Sequence, residues 1–157
     1  MQNKEYNTVI SKDRIAHMHG VAEYMYAHAA DYKLDPEEMY ILGLLHDIGY
    51  IQGFKEGHEQ YGAEMLFQKL PLRGLSMKCC IERHSQIPQS FSWNSELCRK
   101  QYLLLEADMK IDGKGRYAGY NGRLKDIAER YGSESEVYKK CAKLIDWLIN
   151  NEEVKHK

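Results

Sequence analysis

The stretch LLHDIGY, residues 44–50, places a histidine and an aspartate side by side directly after an apolar run. The residues at 41–45 include four Ile or Leu and are typical of the buried side of a helix. Removing a polar pair from water is costly unless a hydrogen bond or a cation compensates it. His46 and Asp47 are therefore either hydrogen-bonded core residues or the ligands of a cation.

The composition is that of one ordinary globular domain. The chain has 157 residues, of which 43% are hydrophobic and 29% charged, enough for a single core. A net charge of −1 argues against nucleic acid or an anionic membrane as the main partner. No apolar run approaches the roughly 20 residues of a membrane span, and MQNKEYNTVISKD lacks a signal sequence. The four cysteines show no CxxC spacing, so we expect a cytoplasmic protein with reduced thiols.

Helical periodicity dominates the chain, and no segment shows the alternation of a β-strand. Asp35 is expected to be the N-cap of a helix with Pro36 in its first position, and Glu38 closes a capping box. A second capping box, Ser133-x-x-Glu136, predicts the start of the last helix. These signals predict an all-α fold of about six or seven helices.

The predicted helices are separated by short loops, and neither a repeat nor a long linker divides the chain. We therefore expect residues 1–157 to form a single domain, with a motif-bearing core at about 11–111 and C-terminal helices at about 120–153. The segment 112–122 has four glycines and is predicted to be a loop. The predicted helices cover about residues 11–32, 36–48, 59–70, 74–84, 95–111, 123–131 and 133–153.

Histidines and carboxylates recur where apolar runs end. A lone histidine at the edge of an apolar face is more often a satisfied core or surface residue than a metal ligand. Asp108 follows Leu103–Leu105, and a carboxylate that emerges from a buried run needs either a basic partner or a cation. Six residues stand out together because of their order and type and because they lie on separate predicted elements. They are His17, His46, Asp47, His58, His84 and Asp108.

This order resembles the HD-domain superfamily of metal-dependent phosphohydrolases, whose ligands are a His, a His-Asp doublet and a later Asp. The local matches are RIAHMHGVA (14–22), LLHDIGY (44–50) and LEADMK (105–110). GHEQYGAEML (57–66) and IERHSQ (81–86) resemble the two further His motifs of members with a binuclear centre. The resemblance covers most of the chain and implies a helical metal-binding domain.

The resemblance implies two adjacent metal sites. His17, His46, Asp47 and Asp108 match the first site, and His58 and His84 match the second, with Asp47 placed to bridge. Imidazole and carboxylate ligands suit one or two divalent transition metal ions such as Fe, Mn, Ni or Zn, and Mg²⁺ is possible. A metal lowers the pKa of bound water and polarises a phosphoryl oxygen. The implied activity is hydrolysis of a nucleotide or another small phosphorylated compound, with His46 and Asp47 at the catalytic centre.

Basic residues near the motifs are the candidate phosphate contacts, because Arg and Lys are favoured there. Many members of the superfamily have a Lys after the His-Asp-x-Gly turn, where this chain has Tyr50. Loops 87–94 and 112–122 follow ligand-bearing helices and are expected to cover the pocket. Lys114, Arg116 and Arg123 are further candidates in or after the second loop. The substrate-binding residues that we predict are Arg14, Lys55, Arg83 and Lys110.

Two other functions would use the same residues. The superfamily also contains diiron oxygenases with four His and two Asp ligands, so the ligand set alone leaves an oxygenase open. A non-catalytic regulatory module would keep the fold, but it is expected to have lost ligands, and this chain has all six. The sequence contains neither a GxSxG nucleophile elbow nor a P-loop. It does not predict the oligomeric state.

Overall fold

The computed structural model describes residues 10–52, 57–69 and 74–155. Over these ranges the only β-type pairing is an isolated bridge between Ile111 and Tyr117, so the predicted all-α fold is confirmed. No helix within them is long and apolar enough to cross a membrane. Short 3-10 turns, Ala29–Tyr32 and Ile48–Gln52, follow the first two helices. The α-helices are α1 (Lys12–His28), α2 (Pro36–Leu45), α3 (His58–Lys69), α4 (Gly74–Glu82), α5 (Glu96–Lys110), α6 (Gly119–Tyr131) and α7 (Glu136–Lys155).

Helix α5 lies at the centre of the fold. Ten successive residues, 100–109, are buried, as expected for a helix that is surrounded by others. Leu103, Leu104 and Leu105 are at most 1% exposed, and α5 contacts α1, α2, α4, α6 and α7. Asp108 lies in the last turns of α5, so its carboxylate is buried together with the rest of this helix.

Helices α1 and α2 cross at very short distance. A Cβ atom added at Gly43 would lie 2.8 Å from Cα of Ala22, so the two backbones approach as closely as a glycine allows. This crossing brings His17 of α1 next to His46 at the end of α2, with 5.5 Å between the ring centroids. The α1–α2 pair therefore assembles the first half of the candidate site.

Helix α2 ends earlier than the sequence predicted. It stops at Leu45, and His46 is its C-cap, so the His-Asp doublet lies in the turn that follows and not inside the helix. The chain then forms the 3-10 turn, where a Cβ atom at Gly49 would clash with the carbonyl oxygen of His58. This contact requires glycine and places the first residue of α3 beside the doublet.

The glycine-rich segment is partly a tight turn and partly helix. Asp112 accepts hydrogen bonds from the backbone N–H groups of Lys114 (2.9 Å) and Arg116 (3.0 Å). Gly115 has a φ of 81°, and a Cβ atom there would clash with the carbonyl oxygen of Ala16, so this turn packs against α1. Helix α6 begins at Gly119, before the predicted residue 123.

The predicted cap of the last helix is wrong by two residues. Ser135 is the N-cap of α7, because its Oγ accepts a hydrogen bond from the N–H of Tyr138 at 3.1 Å. Ser133 therefore does not form the predicted capping box with Glu136. The two serines have the same local chemistry, and the close turn after α6 decides which one begins the helix.

Candidate metal centre

Four imidazoles and two carboxylates meet in one cluster, and all of them except His46 line the floor of a single cavity. The α1–α2 pair supplies two of the histidines, α3 supplies the third and the turn after α4 supplies the fourth. The carboxylates come from the turn after α2 and from α5. All six side chains are buried, and they are the six that the sequence motifs singled out: His17, His46, Asp47, His58, His84 and Asp108.

The first group of ligand atoms surrounds Asp108. His17 Nε2 lies 2.9 Å from Asp108 Oδ1, and His46 Nε2 lies 3.9 Å from the same oxygen. His46 Nε2 is also 3.5 Å from Asp47 Oδ2. His46 therefore belongs to this group and to the one around Asp47.

The second group surrounds Asp47. Its Oδ1 atom lies 3.2 Å from His84 Nε2 and 3.4 Å from His58 Nε2. The two Nε2 atoms are 3.3 Å apart, a distance at which two ring nitrogens need a proton or a cation between or beside them. Asp47 thus lies between the two groups, with one carboxylate oxygen towards each.

The other ring nitrogen of each histidine is held by a second contact. A backbone carbonyl can only accept a hydrogen bond, so a histidine Nδ1 bonded to it must carry the proton and Nε2 is directed to the cluster. This arrangement is usual for histidines that bind metals. The Nδ1 contacts are His17 to the Asp112 carbonyl (2.9 Å), His46 to that of Gly43 (2.7 Å), His84 to that of Ile81 (2.6 Å) and His58 to Glu59 Oε2 (3.2 Å).

The pKa values follow from this crowding. Burial alone would raise the pKa of Asp47, but its electrostatic interaction with the neighbouring His46 imidazole and hydrogen bonds from two more imidazoles hold it well below its usual range. Burial would also raise the pKa of Asp108, and the hydrogen bond from His17 lowers it. Burial lowers the pKa of His46 to about 4. Burial would lower the pKa of His84, but the hydrogen bond to Asp47 raises it to about 9.

The donor set fits a divalent metal. His46 is neutral at pH 7, and its buried Nε2 has no hydrogen-bond partner among the residues that the structure describes. Such an orphaned nitrogen is costly unless a cation or a water molecule reaches it. Nitrogen and carboxylate oxygen donors without thiolate suit Fe, Mn, Ni or Zn. Three overlapping sets offer ligand atoms within 4.8 Å of one another: His17–His46–Asp108, His46–Asp47–His84 and His58–Glu59–His84.

Comparison with known families agrees with this geometry. The sequence model of the HD domain matches residues 14–151. The chain belongs to the HD domain family. This family lies within the superfamily of metal-dependent hydrolases. No curated protein and no solved structure matches the chain significantly.

Arg14 and Tyr50 border the cluster of this HD domain on one side. Arg14 Nη1 donates a hydrogen bond to Asp47 Oδ2 at 2.6 Å. Burial would lower the pKa of Arg14, but the carboxylate of Asp47 raises it. The Arg14 guanidinium lies over the Tyr50 ring, 4.0 Å from its centroid, and the same ring stacks on His58 at a centroid distance of 4.0 Å. The predicted substrate contact Arg14 is thus at the cavity and touches the carboxylate between the two groups.

Arg123 borders the cluster at its second carboxylate, Asp108. Its Nε donates to the carbonyl oxygen of Asp108 at 3.1 Å, and its Nη2 lies 3.6 Å from Asp108 Oδ1. Asp126 holds Arg123 Nη1 at 2.8 Å and Arg130 Nε at 3.1 Å, and it also accepts from the backbone N–H of Gly113. One carboxylate on α6 therefore fixes two arginines at the cavity wall.

The other predicted substrate contacts lie elsewhere. Lys110 donates to Glu106 Oε1 at 2.9 Å and to the hydroxyl of Tyr24 at 3.2 Å, and it does not line the cavity. Arg83 is exposed and lines a separate polar depression between α4 and α5. Lys55 lies outside the described residues. Of the basic residues that the sequence singled out near the motifs, Arg14 and Arg123 are the two at the cavity.

The cavity above the cluster has a volume of about 570 Å³, and helices α6 and α7 form its far side. The loops that were expected to cover it are placed differently. Phe91 and Trp93 of loop 87–94 pack on Tyr102 in the core, with centroid distances to it of 5.9 and 4.7 Å. Gly113 is the one residue of 112–122 that lines the cavity.

Sequence reasoning missed two carboxylates that support the cluster. Glu59 lies beside His58 Nδ1 and accepts a hydrogen bond from the hydroxyl of Ser85 at 2.9 Å. Asp126 lies three residues after Arg123 and four before Arg130, the spacing of side chains that meet on one helix face. The signal for Asp126 was therefore present in the sequence. No local pattern indicated Glu59, because Glu59 and Ser85 meet only when α3 packs against the end of α4.

Proposed function

We propose that this HD domain is a metal-dependent phosphohydrolase that acts on a nucleotide or another small phosphorylated compound. One observation carries the proposal: the Nε2 atoms of four buried histidines and the oxygens of two buried carboxylates face one another in a cluster directly beneath a cavity. Arg14 contacts one carboxylate residue of this cluster and Arg123 the other, and arginines beside the metal ligands favour an anionic substrate.

Two groups of residues would hold metal. His17, His46 and Asp108 form one, and His58 and His84 with Asp47 form the other. Bound divalent metal supplies a water of lowered pKa and polarises the phosphoryl oxygen. The low pKa of Asp47 keeps this carboxylate ionised at neutral pH, so that both of its oxygens are available as ligands.

The arginines would bind the phosphoryl group. A guanidinium has five N–H donors, and Arg14 uses Nη1 on Asp47, which leaves donors that can reach an oxyanion in the cavity. Arg123 is anchored to Asp126 and to the backbone of Asp108, so its charge stays at a fixed place beside the cluster. Fixed donors lose little entropy when they bind a phosphate, which favours specific recognition.

The test is metal binding together with phosphate release. Protein reconstituted with Mn²⁺, Fe²⁺ or Ni²⁺ should release phosphate from a panel of phosphate esters and anhydrides. Asp47→Ala should lose bound metal and at least about 100-fold of the activity, since it removes the carboxylate that lies between the two groups and faces both. His19→Ala is the matched control, because His19 lies on α1 two residues from a ligand and is exposed to solvent.

Three results would contradict the proposal in different ways. Wild-type protein that binds none of these metals would support a regulatory module instead. An iron-loaded protein that consumes O₂ and releases no phosphate would support an oxygenase. Equal loss of metal in Asp47→Ala and His19→Ala would show that the cluster is not where metal binds.

A further inference from the structure

The cavity has two chemically different sides. Its floor is the His/Asp cluster, and its far side consists of residues from α6 and α7, which we call the α6–α7 wall. Four residues of this wall are apolar or aromatic, three are basic and one is a thiol. They are Ile127, Tyr131, Val137, Leu144, Arg123, Arg130, Lys140 and Cys141.

The apolar part of the wall continues from the interior to the cavity mouth. Ile127 and Leu144 are 3% and 2% exposed and lie deep, whereas Tyr131 and Val137 are 43% and 44% exposed. The last two flank the short turn that joins α6 to α7. Large apolar side chains left exposed around a concave site are typical of a surface that binds an apolar part of a ligand.

The polar part of the wall is almost entirely cationic. Arg and Lys can only donate hydrogen bonds, so they attract anions and cannot accept from a hydroxyl. Among the side chains of the wall, the acceptors are the Tyr131 hydroxyl and the Cys141 sulfur. A sugar, whose hydroxyls both donate and accept, would leave donors unpaired on this side. An apolar group attached to an anion would leave no such donor unpaired.

We propose that the α6–α7 wall is the subsite for the organic part of the substrate, and that this part carries an aromatic or aliphatic group. The proposal rests on the proposed phosphohydrolase function, which places the phosphoryl group at the cluster. The volume of about 570 Å³ exceeds what a bare phosphate fills and lies within the usual range of small-molecule pockets. The substrate class is a phosphate ester of an aromatic or aliphatic alcohol.

A binding experiment tests the subsite without using catalysis. Benzylphosphonate and methylphosphonate have no ester bond to hydrolyse, and their affinities for the Mn²⁺-loaded protein are compared by isothermal titration calorimetry. Benzylphosphonate should bind at least about tenfold more tightly, because its ring leaves water for the wall. Tyr131→Ala and Val137→Ser should each lower this ratio, and Tyr131→Phe should keep it. Tyr26→Ala is the control, since Tyr26 is 52% exposed on α1, away from the cavity.

Two results would overturn the subsite. One is equal affinity of the two phosphonates for the wild-type protein. The other is a preference for benzylphosphonate that survives unchanged in both Tyr131→Ala and Val137→Ser. Tyr26→Ala is expected to match the wild type in each measurement.

A kinetic experiment separates this inference from the proposed function. In Tyr131→Ala, KM for phenyl phosphate should rise about fivefold or more with kcat nearly unchanged, while both constants for glycerol phosphate stay as in the wild type. A wild-type preference for glycerol phosphate over phenyl phosphate would overturn the subsite and leave the hydrolase intact. Absence of any hydrolysis, with the phosphonate preference intact, would overturn the hydrolase and support the subsite.

Discussion

The ring of Tyr50 contacts both His58 and Arg14 at the edge of the candidate metal centre. The ring stacks on His58 with an interplanar angle of 27°, and it carries the Arg14 guanidinium 4.0 Å from its centroid. Its backbone N–H donates to the carbonyl of Asp47 at 3.1 Å, which fixes the ring next to the doublet. Burial raises the pKa of Tyr50, so its hydroxyl remains protonated and neutral at physiological pH. The aromatic face, and not a titrating hydroxyl, is therefore what this position contributes.

We expect Tyr50→Leu to weaken metal binding and Tyr50→Phe to keep it. Aromatic stacking and a cation–π contact together contribute about 1–2 kcal/mol, which corresponds to about 5–30-fold in affinity if His58 and Arg14 lose their support. Competition with a chromophoric chelator measures the affinity. Tyr26→Leu serves as the surface control. Equal affinities of the Leu and Phe variants would show that the ring has no such role.

The contacts of His58 and His84 predict that a second metal ion binds. Both Nε2 atoms face Asp47 Oδ1, on the side away from His17 and Asp108. Two metals that share a carboxylate would lie roughly 3.5–4 Å apart. Metal analysis of reconstituted wild-type protein should approach about two ions per chain, and a His58→Ala, His84→Ala double variant should approach about one. A wild type that never exceeds one ion, with full phosphatase activity in the double variant, would contradict this.

At the scale of elements, the crossing of α1 and α2 positions the first metal-ligand group. Gly43 faces the backbone of α1, and an added Cβ would lie 2.8 Å from Ala22 Cα and 2.9 Å from Met25 Sδ. The backbone contact cannot be relieved by rotating a side chain. The carbonyl of Gly43 also accepts the Nδ1 proton of His46, so movement of α2 would turn that imidazole.

Gly43→Ala should therefore destabilise the protein, although alanine favours a helix over glycine by about 1 kcal/mol. Overpacking a crossing of two backbones costs about 1–3 kcal/mol, so after the gain in helix propensity we expect a net loss of up to about 2 kcal/mol in the free energy of unfolding. Urea denaturation measures it. Ile41→Ala, on the same helix but 45% exposed, should change the unfolding free energy little. A more stable Gly43→Ala variant would mean that the helices can separate without cost.

At the scale of the whole molecule, the candidate ligands tie together distant parts of the chain. The first lies on α1 and the last on α5, and the others come from the segments between them. A metal that binds these residues binds the folded state and not the extended chain. Its binding free energy therefore adds to the free energy of unfolding.

Addition of Mn²⁺ should raise the melting temperature of the wild-type protein. A free metal concentration about 100-fold above Kd stabilises the fold by about 2.7 kcal/mol, and a domain of this size gains about 2–4 °C per kcal/mol. We expect an increase of about 5–10 °C by differential scanning fluorimetry, reversed by EDTA. Asp108→Ala should show a much smaller increase, and His19→Ala the full one. The same increase in Asp108→Ala would argue that the metal binds elsewhere.

Lys110 and Arg123 show which cavity residues the sequence could have decided and which it could not. Lys110 is two residues after Asp108, and a rotation of about 100° per residue puts it on nearly the opposite face of α5. The helical period alone could have excluded it from the cavity. Arg123 is fifteen residues away along the chain, and only the turn that docks on α1 returns α6 to Asp108.

The sequence by itself determined the all-α class and the approximate helices, because periodicity and capping depend on residues a few positions apart. It also indicated, through the order of its motifs, the six residues that meet in the cluster beneath the cavity. Their role as ligands stays a prediction. Only the tertiary structure decided that α2 ends at Leu45 and that α6 begins at Gly119. It also decided that Glu59 and Tyr50 support His58 and that α6 and α7 form a wall of the cavity. The physical reason is that these features arise from contacts between helices far apart in the chain, which no local pattern encodes.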